Sequence, residues 1–212
     1  ANPEFLRPAR GLAPPGGAPH LHFYAADLVR MPDGRWRVFN DRTQAAAGVG
    51  YAVRNRRVLA RTFPEAFRTA PVRRLAPFLE RWQASLQRIG AAIREDPRAV
   101  LLTPGPYNDA YFEHVYLARE LGITLAQGSD LTVRDGVVFL KTLEGLLRVD
   151  VIYRRLDGIF CDPLELHEES ALGVAGLLQA ARAGNVAILN QPGSALIESP
   201  AYAPFLPALA RH

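Results

Sequence analysis

Residues 99–126 read AVLLTPGPYNDAYFEHVYLARELGITLA. The run AVLL is short, apolar and branched, TPGPYND is a Gly/Pro turn, and AYFEHVYLAREL carries helical spacing that stops at Gly122. ITLA then supplies a second strand. A strand, a loop, a helix and a strand make the building block of a parallel sheet, so this half of the chain is predicted to be α/β. The turn Thr103–Asp109 leaves the carboxyl end of a strand and enters a helix, the place where open α/β sheets bind ligands. Main-chain N–H groups at such a helix start suit an anion, which makes Gly105 and Asn108 candidate binding residues. A purely structural turn is the competing reading.

Working outward toward the C-terminus, DLTVRDGVVFLK (130–141) places an Asp-Gly turn between two alternating runs, predicting a hairpin. VDVIYRR (149–155) reads as a further strand. SALGVAGLLQAARAGNVAILN (170–190) reads as helix, stop at Gly184, and strand. Toward the N-terminus, LHFYAADLVR and RWRVFND flank MPDG (31–34), a turn in which Pro sets φ and Gly accepts a positive one, so a second hairpin is expected. RTQAAAGVGYAVRNR (42–56) reads as a small-residue loop. Apolar positions Leu75, Phe78, Leu79, Trp82, Leu86 and Ile89 recur every three or four residues, predicting an amphipathic helix over 72–93. Residues 1–20 are rich in Pro and Gly without a period, and the stretch from residue 199 onward contains three prolines.

The net charge of +4 is unevenly divided. Residues 1–100 carry 17 Arg against 8 acidic residues, and residues 101–212 carry 8 basic against 13 acidic residues. No basic run is interleaved with aromatics at RNA-binding spacing, so a nucleic-acid partner is not expected. No apolar run approaches the roughly 20 residues that span a bilayer, so no membrane partner is expected and the chain is read as soluble. The single cysteine, Cys161, excludes an internal disulfide and a multi-cysteine zinc site, in keeping with a cytoplasmic location. It is read as a small buried hydrophobe.

Several polar residues are placed to do chemistry. Asp27 and Asp41 end the two strands of the first hairpin, and facing carboxylates suit Mg²⁺, a hard cation that takes oxygen ligands. Turn capping is the alternative for both. Arg154 and Arg155 end a strand, with Asp157 just beyond, where an arginine fork grips a carboxylate or phosphate or else fastens a loop. Glu113 and His114 lie on the first turns of the helix after TPGPYND. His20 and His22 alternate on one strand, but no third metal ligand accompanies them.

Taken together, FLRP with PPGG, YAADLVRMPDGRWRVFNDRTQ, GVGYAVRNR, TPGPYNDAYFEH, VDVIYRRLD with FCDPLEL, and LGVAGLLQAARAGNVAILN resemble the circularly permuted ATP-grasp proteins, related to glutathionylspermidine synthetase-like ligases. The resemblance covers essentially the whole chain. It implies a β-hairpin-bearing part of an ATP-grasp domain (1–70), a connecting helix (71–98), a small parallel-sheet, Rossmann-like α/β domain of the pre-ATP-grasp kind (99–191), and the start of a further segment (192–212). Members of the family are longer, so the chain is expected to be the central fragment of a longer protein, with apolar surface exposed near the first hairpin and the tail. The implied activity is an ATP-dependent carboxylate–amine ligase working through an acylphosphate. Its cofactors would be ATP and Mg²⁺, its partners small-molecule or peptide carboxylates and amines, and the remaining segments of its own chain. Asp27 and Asp41 would hold the metal, Asn55 and Arg42 would contact phosphate, and Arg154 and Arg155 would face the acceptor. The sequence departs from the family where an acid, an Asp and an Asn are replaced by Asn40, Asp41 and Arg42, and where an ENR triplet reads Arg54, Asn55, Arg56. It also departs at Asp157–Ile159, where acidic residues are thinned, and at Glu198–Pro200, where relatives carry Asp-Asp-Lys. Such losses imply an alternative, a non-catalytic paralogue acting as an interaction or regulatory subunit.

Overall fold

The computed structural model describes residues 2–209 and 211. The first hairpin forms as the Pro-Asp-Gly turn requires: β1 (Ala25–Arg30) pairs antiparallel with β2 (Trp36–Arg42), and Gly34 takes φ 81°. A bulge between Asp27 and Leu28 shifts the register so that Asp27 lies opposite Asn40 and Leu28 opposite Val38. The predicted loop over 42–56 is only half a loop. Helix α1 (Val49–Thr62) begins at Gly48, whose φ of 105° supplies the left-handed entry, and is followed by α2 (Pro64–Thr69). Gly48 and Gly50 hid that helix in the sequence, because glycine counts against a helix unless its surroundings demand it. Helix α3 (Ala76–Ala91) starts later than the apolar spacing suggested, with Pro77 in its first turn, and buries Leu79, Trp82, Leu86 and Ile89 along one face.

The second half follows the predicted order with one addition. β3 (Ala99–Leu102), α4 (Tyr111–Leu121) and β4 (Thr124–Ala126) form the expected parallel unit, with Gly122 at φ 65° ending the helix. β5 (Leu131–Arg134), β6 (Val137–Thr142) and β7 (Gly145–Arg148) make a three-stranded antiparallel sheet, one strand more than the hairpin expected. β8 (Val151–Arg154), α5 (Leu177–Arg182) and β9 (Ala187–Leu189) complete the parallel sheet, whose order is β4-β3-β8-β9. Residues 194–202 form short 3₁₀ turns, and α6 (Leu206–Leu209) follows them.

The core follows from the two-residue period of the central strands. Val100, Leu102, Ile152 and Ile188 point to one face, where they pack with Leu177 and Leu178 of α5 and with Val138 of β6. Leu101, Val151, Tyr153 and Leu189 point to the other, against Trp82 and Leu86 of α3 and Leu117 and Leu121 of α4. Each fully buried side chain of this kind contributes roughly 1.5–3 kcal/mol. The first hairpin shares none of this shelter: Leu28, Trp36, Val38 and Phe39 are exposed, and so are Phe205 and Leu209 in the tail. Among the described residues no helix is long and apolar enough to cross a membrane.

Candidate functional site

The chain leaves β3 toward β4 on one side and continues from β8 toward β9 on the other, so the sheet has its switch point between β3 and β8. Open α/β sheets place their ligand crevice at the carboxyl ends of such strands. Thr103, Glu113, His114, Arg154, Arg155 and Asn190 are all buried at that end, with Thr43 packed above them. Burying that many polar groups carries a large desolvation cost, and the hydrogen bonds made there offset it.

Glu113 is fully buried at the first turn of α4. Its carboxylate accepts from Gly48 N at 2.8 and 3.0 Å and from Gly50 N at 2.8 Å, and its Oε2 lies 3.6 Å from Arg155 Nη2. The negative group therefore sits at the positive end of α1, where unpaired N–H groups and the helix dipole both favour it. Close approach depends on glycine at position 50, where an added Cβ would lie 2.7 Å from Glu113 Cγ. His114 Nδ1 shares a 2.9 Å hydrogen bond with the Thr103 hydroxyl, which also accepts from Gly105 N. Burial first, and the Arg155 charge second, lower His114 to about 4, so the ring is neutral at neutral pH.

Arg154 and Arg155 do not project into open space. Arg154 donates to the main-chain carbonyls of Asn190 (3.0 Å), Leu156, Gln44 (3.1 Å) and Gln191 (3.3 Å), and burial pushes its pKa down. Arg155 Nη1 donates to Ala46 O at 2.6 Å and to the Tyr153 hydroxyl at 3.3 Å, while its Nε is buried without a partner. The two arginines thus clamp the 43–48 loop over the sheet. Glu198 holds the same loop from the far side, accepting from Thr43 N at 2.6 Å and Gln44 N at 2.5 Å. The Gln44 side chain bridges to Asp157 and to Gly158 N.

Asn190 ties the hairpin to the sheet. Its Nδ2 donates to Phe23 O and Thr43 O, both at 2.6 Å, and its Oδ1 accepts from His22 N and Phe23 N at 2.7 and 2.9 Å. One amide thereby holds the chain just before β1 and just after β2. Sequence reasoning singled out Glu113, His114 and the arginines as site residues, but none of Thr43, Thr103, Glu198 and Asn190, of which Thr103 figures only as the start of the turn and Glu198 only as a departure from the family. Those four are short or common polar residues, recognisable only once the fold brings positions 43, 103, 190 and 198 together.

The remaining sequence candidates lie elsewhere. Asp27 faces Asn40 across the hairpin and Asp41 faces Ala26, so the alternation of strand side chains turns the two carboxylates to opposite faces. Asp27 is bonded by Arg42 at 2.8 Å, and Asp41 accepts from the Tyr24 hydroxyl at 2.6 Å. Arg42 therefore faces a carboxylate rather than open space. Among the described residues no group of three or more His, Cys, Asp and Glu side chains is arranged to hold a metal ion. Asn55 is exposed on α1, and Asn108 is exposed with its side chain accepting from Ala110 N. Gly105 is buried at φ 104°, where a Cβ would meet Gln127 Oε1 at 2.6 Å. His20 bonds Gln191 and His22 bonds Ser85, so each histidine has a local protein partner. Cys161 is buried as expected, and burial pushes its thiol up to about 11.

The comparisons with known proteins bear on the whole chain. It is 42% identical over 209 residues to an uncharacterised protein of Mycobacterium tuberculosis (strain ATCC 25618 / H37Rv), which covers 99% of this chain and 38% of the relative. An uncharacterised protein of Mycobacterium leprae is 42% identical over 209 residues, covering 99% and 37%. One of Synechocystis sp. is 38% identical over 208 residues, covering 98% and 43%. The chain thus spans less than half the length of the curated relatives it matches. The sequence model of the circularly permuted ATP-grasp type 2 family matches residues 1–212, and the chain belongs to that family.

Proposed function

We propose that this chain is part of an ATP-dependent carboxylate–amine ligase and supplies the scaffold that positions the 43–48 loop and the start of α1 at the mouth of the parallel sheet. In that reaction class a carboxylate oxygen takes the terminal phosphoryl group of ATP and ADP leaves. An amine then attacks the acyl carbon, phosphate departs, and the amine nitrogen gives up a proton. The observation that carries the reading is the buried polar network at the switch point in a chain of this family: Glu113, Arg154, Arg155 and Asn190 converge on one loop and on the entry of α1. In this reading Arg154 and Arg155 are positioning residues, acting on substrate through the loop they hold. ATP and Mg²⁺ are implied by the family, and the metal ligands would come from residues other than the Asp27 and Asp41 pair.

The test uses the complete protein. ADP formation from ATP that depends on both a carboxylate and an amine supports the proposal, and so does a rise in Tm with ATP and Mg²⁺, because a ligand that binds only the folded state raises apparent stability. No shift at saturating ATP, with or without Mg²⁺, would sink it. A second reading, a non-catalytic interaction or regulatory subunit, is favoured by the Arg42–Asp27 ion pair and the Tyr24–Asp41 bond, which engage the two hairpin carboxylates internally. Nucleotide binding without ADP formation would select it.

A further inference from the structure

Residues 51–81 carry eight arginines against two acidic residues, Glu65 and Glu80. Arg57 is paired with Glu120 and Arg68 with Glu65. Among the described residues, Arg54, Arg56, Arg61, Arg73, Arg74 and Arg81 have no carboxylate within ion-pair distance. Like charges left together repel, and such a cluster gains most from an external anion. Three of the six arginines stand around a groove of about 400 Å³ between α1, α2 and the start of α3. Its floor is apolar: Val53, Phe67, Leu75 and Leu79 line it, with Arg56, Arg57, Arg73 and Arg74 at the rim. The rim is braced, since Arg56 Nη1 donates to Arg73 O at 3.0 Å and the Arg56 guanidinium lies 5.8 Å from the centre of the Phe67 ring.

We propose that this groove docks an acidic peptide segment that inserts an aliphatic side chain between Phe67 and Leu75 and lays its carboxylates against Arg56, Arg73 and Arg74. The chemistry selects that occupant by elimination. Free phosphate satisfies the rim and leaves the apolar floor wet. A nucleic acid strand offers charge and flat bases but no aliphatic insert, and an anionic bilayer meets a protein over a broad face rather than inside a recess between three helices. A peptide that alternates acidic and aliphatic residues supplies both parts, and Arg forks pair carboxylates bidentately. The proposal stands apart from the ligase reading, because the groove uses none of the residues at the switch point.

The chain carries a segment of this composition at Asp162–Glu169, DPLELHEE, where Leu164 is 73% exposed and Glu168 and Glu169 are exposed. A fluorescent peptide of that sequence is therefore the probe, titrated against the complete protein by polarisation at low ionic strength. Saturable binding is expected. It should weaken about tenfold in the doubly reversed R73E/R74E protein, since like-charge juxtaposition is strongly unfavourable at a docking surface. It should weaken similarly when both leucines of the peptide are alanine. Arg73 and Arg74 are exposed, so the variant should fold, and Val72→Asp provides a second disruption from the groove wall. Absence of saturable binding overturns the proposal. So does binding that survives R73E/R74E, equal binding by polyglutamate, or stronger competition by a single-stranded oligonucleotide or phosphatidylserine vesicles.

Discussion

At the scale of single residues, Asn190 and Glu113 carry consequences out of proportion to their size. Asn190→Ala leaves two N–H groups and two carbonyls at the root of the hairpin without their partner. Unsatisfied buried groups cost about 1–3 kcal/mol each, less what water recovers, so a loss of about 3 kcal/mol is expected in urea unfolding. Glu113→Gln keeps the shape but removes the carboxylate paired with buried Arg155, with an expected loss of about 3 kcal/mol by the same assay. His114 sets a pH dependence. Its folded value of about 4 lies below its ordinary 6.5, so the unfolded chain binds the extra proton between those values. Stability is therefore fully present above about pH 6.5 and declines by up to about 3 kcal/mol as pH falls toward 4. Urea midpoints measured across that window should slope less in His114→Gln, and an unchanged slope would refute the assignment. His22, lowered chiefly by burial, adds a slope of the same sign.

At the scale of elements, the first hairpin and the parallel sheet differ in how firmly they are held. The first hairpin is a two-stranded ribbon with exposed faces, and such a unit is marginal alone. The central strands β3 and β8 are buried throughout and paired on both sides. Hydrogen exchange should therefore be fast in β1 and β2 and slowest in β3 and β8. Main chain also packs directly on main chain: a Cβ at Gly173 would lie 2.2 Å from Phe160 O, and one at Gly128 would lie 2.3 Å from Leu172 O. Gly173→Ala should cost about 3 kcal/mol or more, because the obstacle is backbone that cannot rotate away. The order of elements was legible wherever period and punctuation agreed, as in β3-α4-β4 with Gly122 and in both Asp-Gly turns. Helix α1 was not, because its stabilisation comes from Glu113, sixty-odd residues away. Strand β7 was not, because Gly145–Arg148 is too short to show a period and pairs only once β6 is in place. The site was half legible. A strand-end arginine pair announces itself, but that its partners are carbonyls of residues 44, 46 and 190 follows only from the fold.

At the scale of the whole molecule, charge and apolar exposure are both segregated. The basic half holds the exposed hairpin and the arginine groove, while the acidic half holds the parallel sheet. Leu28 (57%), Trp36 (64%) and Phe39 (80%) make an apolar surface on the hairpin of the kind that marks an interaction site or a liability to association. The isolated 212-residue chain should self-associate with rising concentration in sedimentation velocity. Trp36→Thr with Phe39→Thr should reduce that association while leaving Tm nearly unchanged, since neither side chain is buried in a core. The bonds of Asn190 then acquire a mechanical meaning. From Phe23 to the turn at Met31 the ribbon extends about 26 Å, at roughly 3.3 Å per residue. It is a lever whose fulcrum lies at its root, where the Asn190 amide, the Glu198 carboxylate and the Phe23–Trp82 stack hold the chain, and its short arm is the end of β9 and the 43–48 loop. Any body that leans on the hairpin tip exerts torque where Arg154 and Arg155 hold that loop, with the mechanical advantage on the side of the tip.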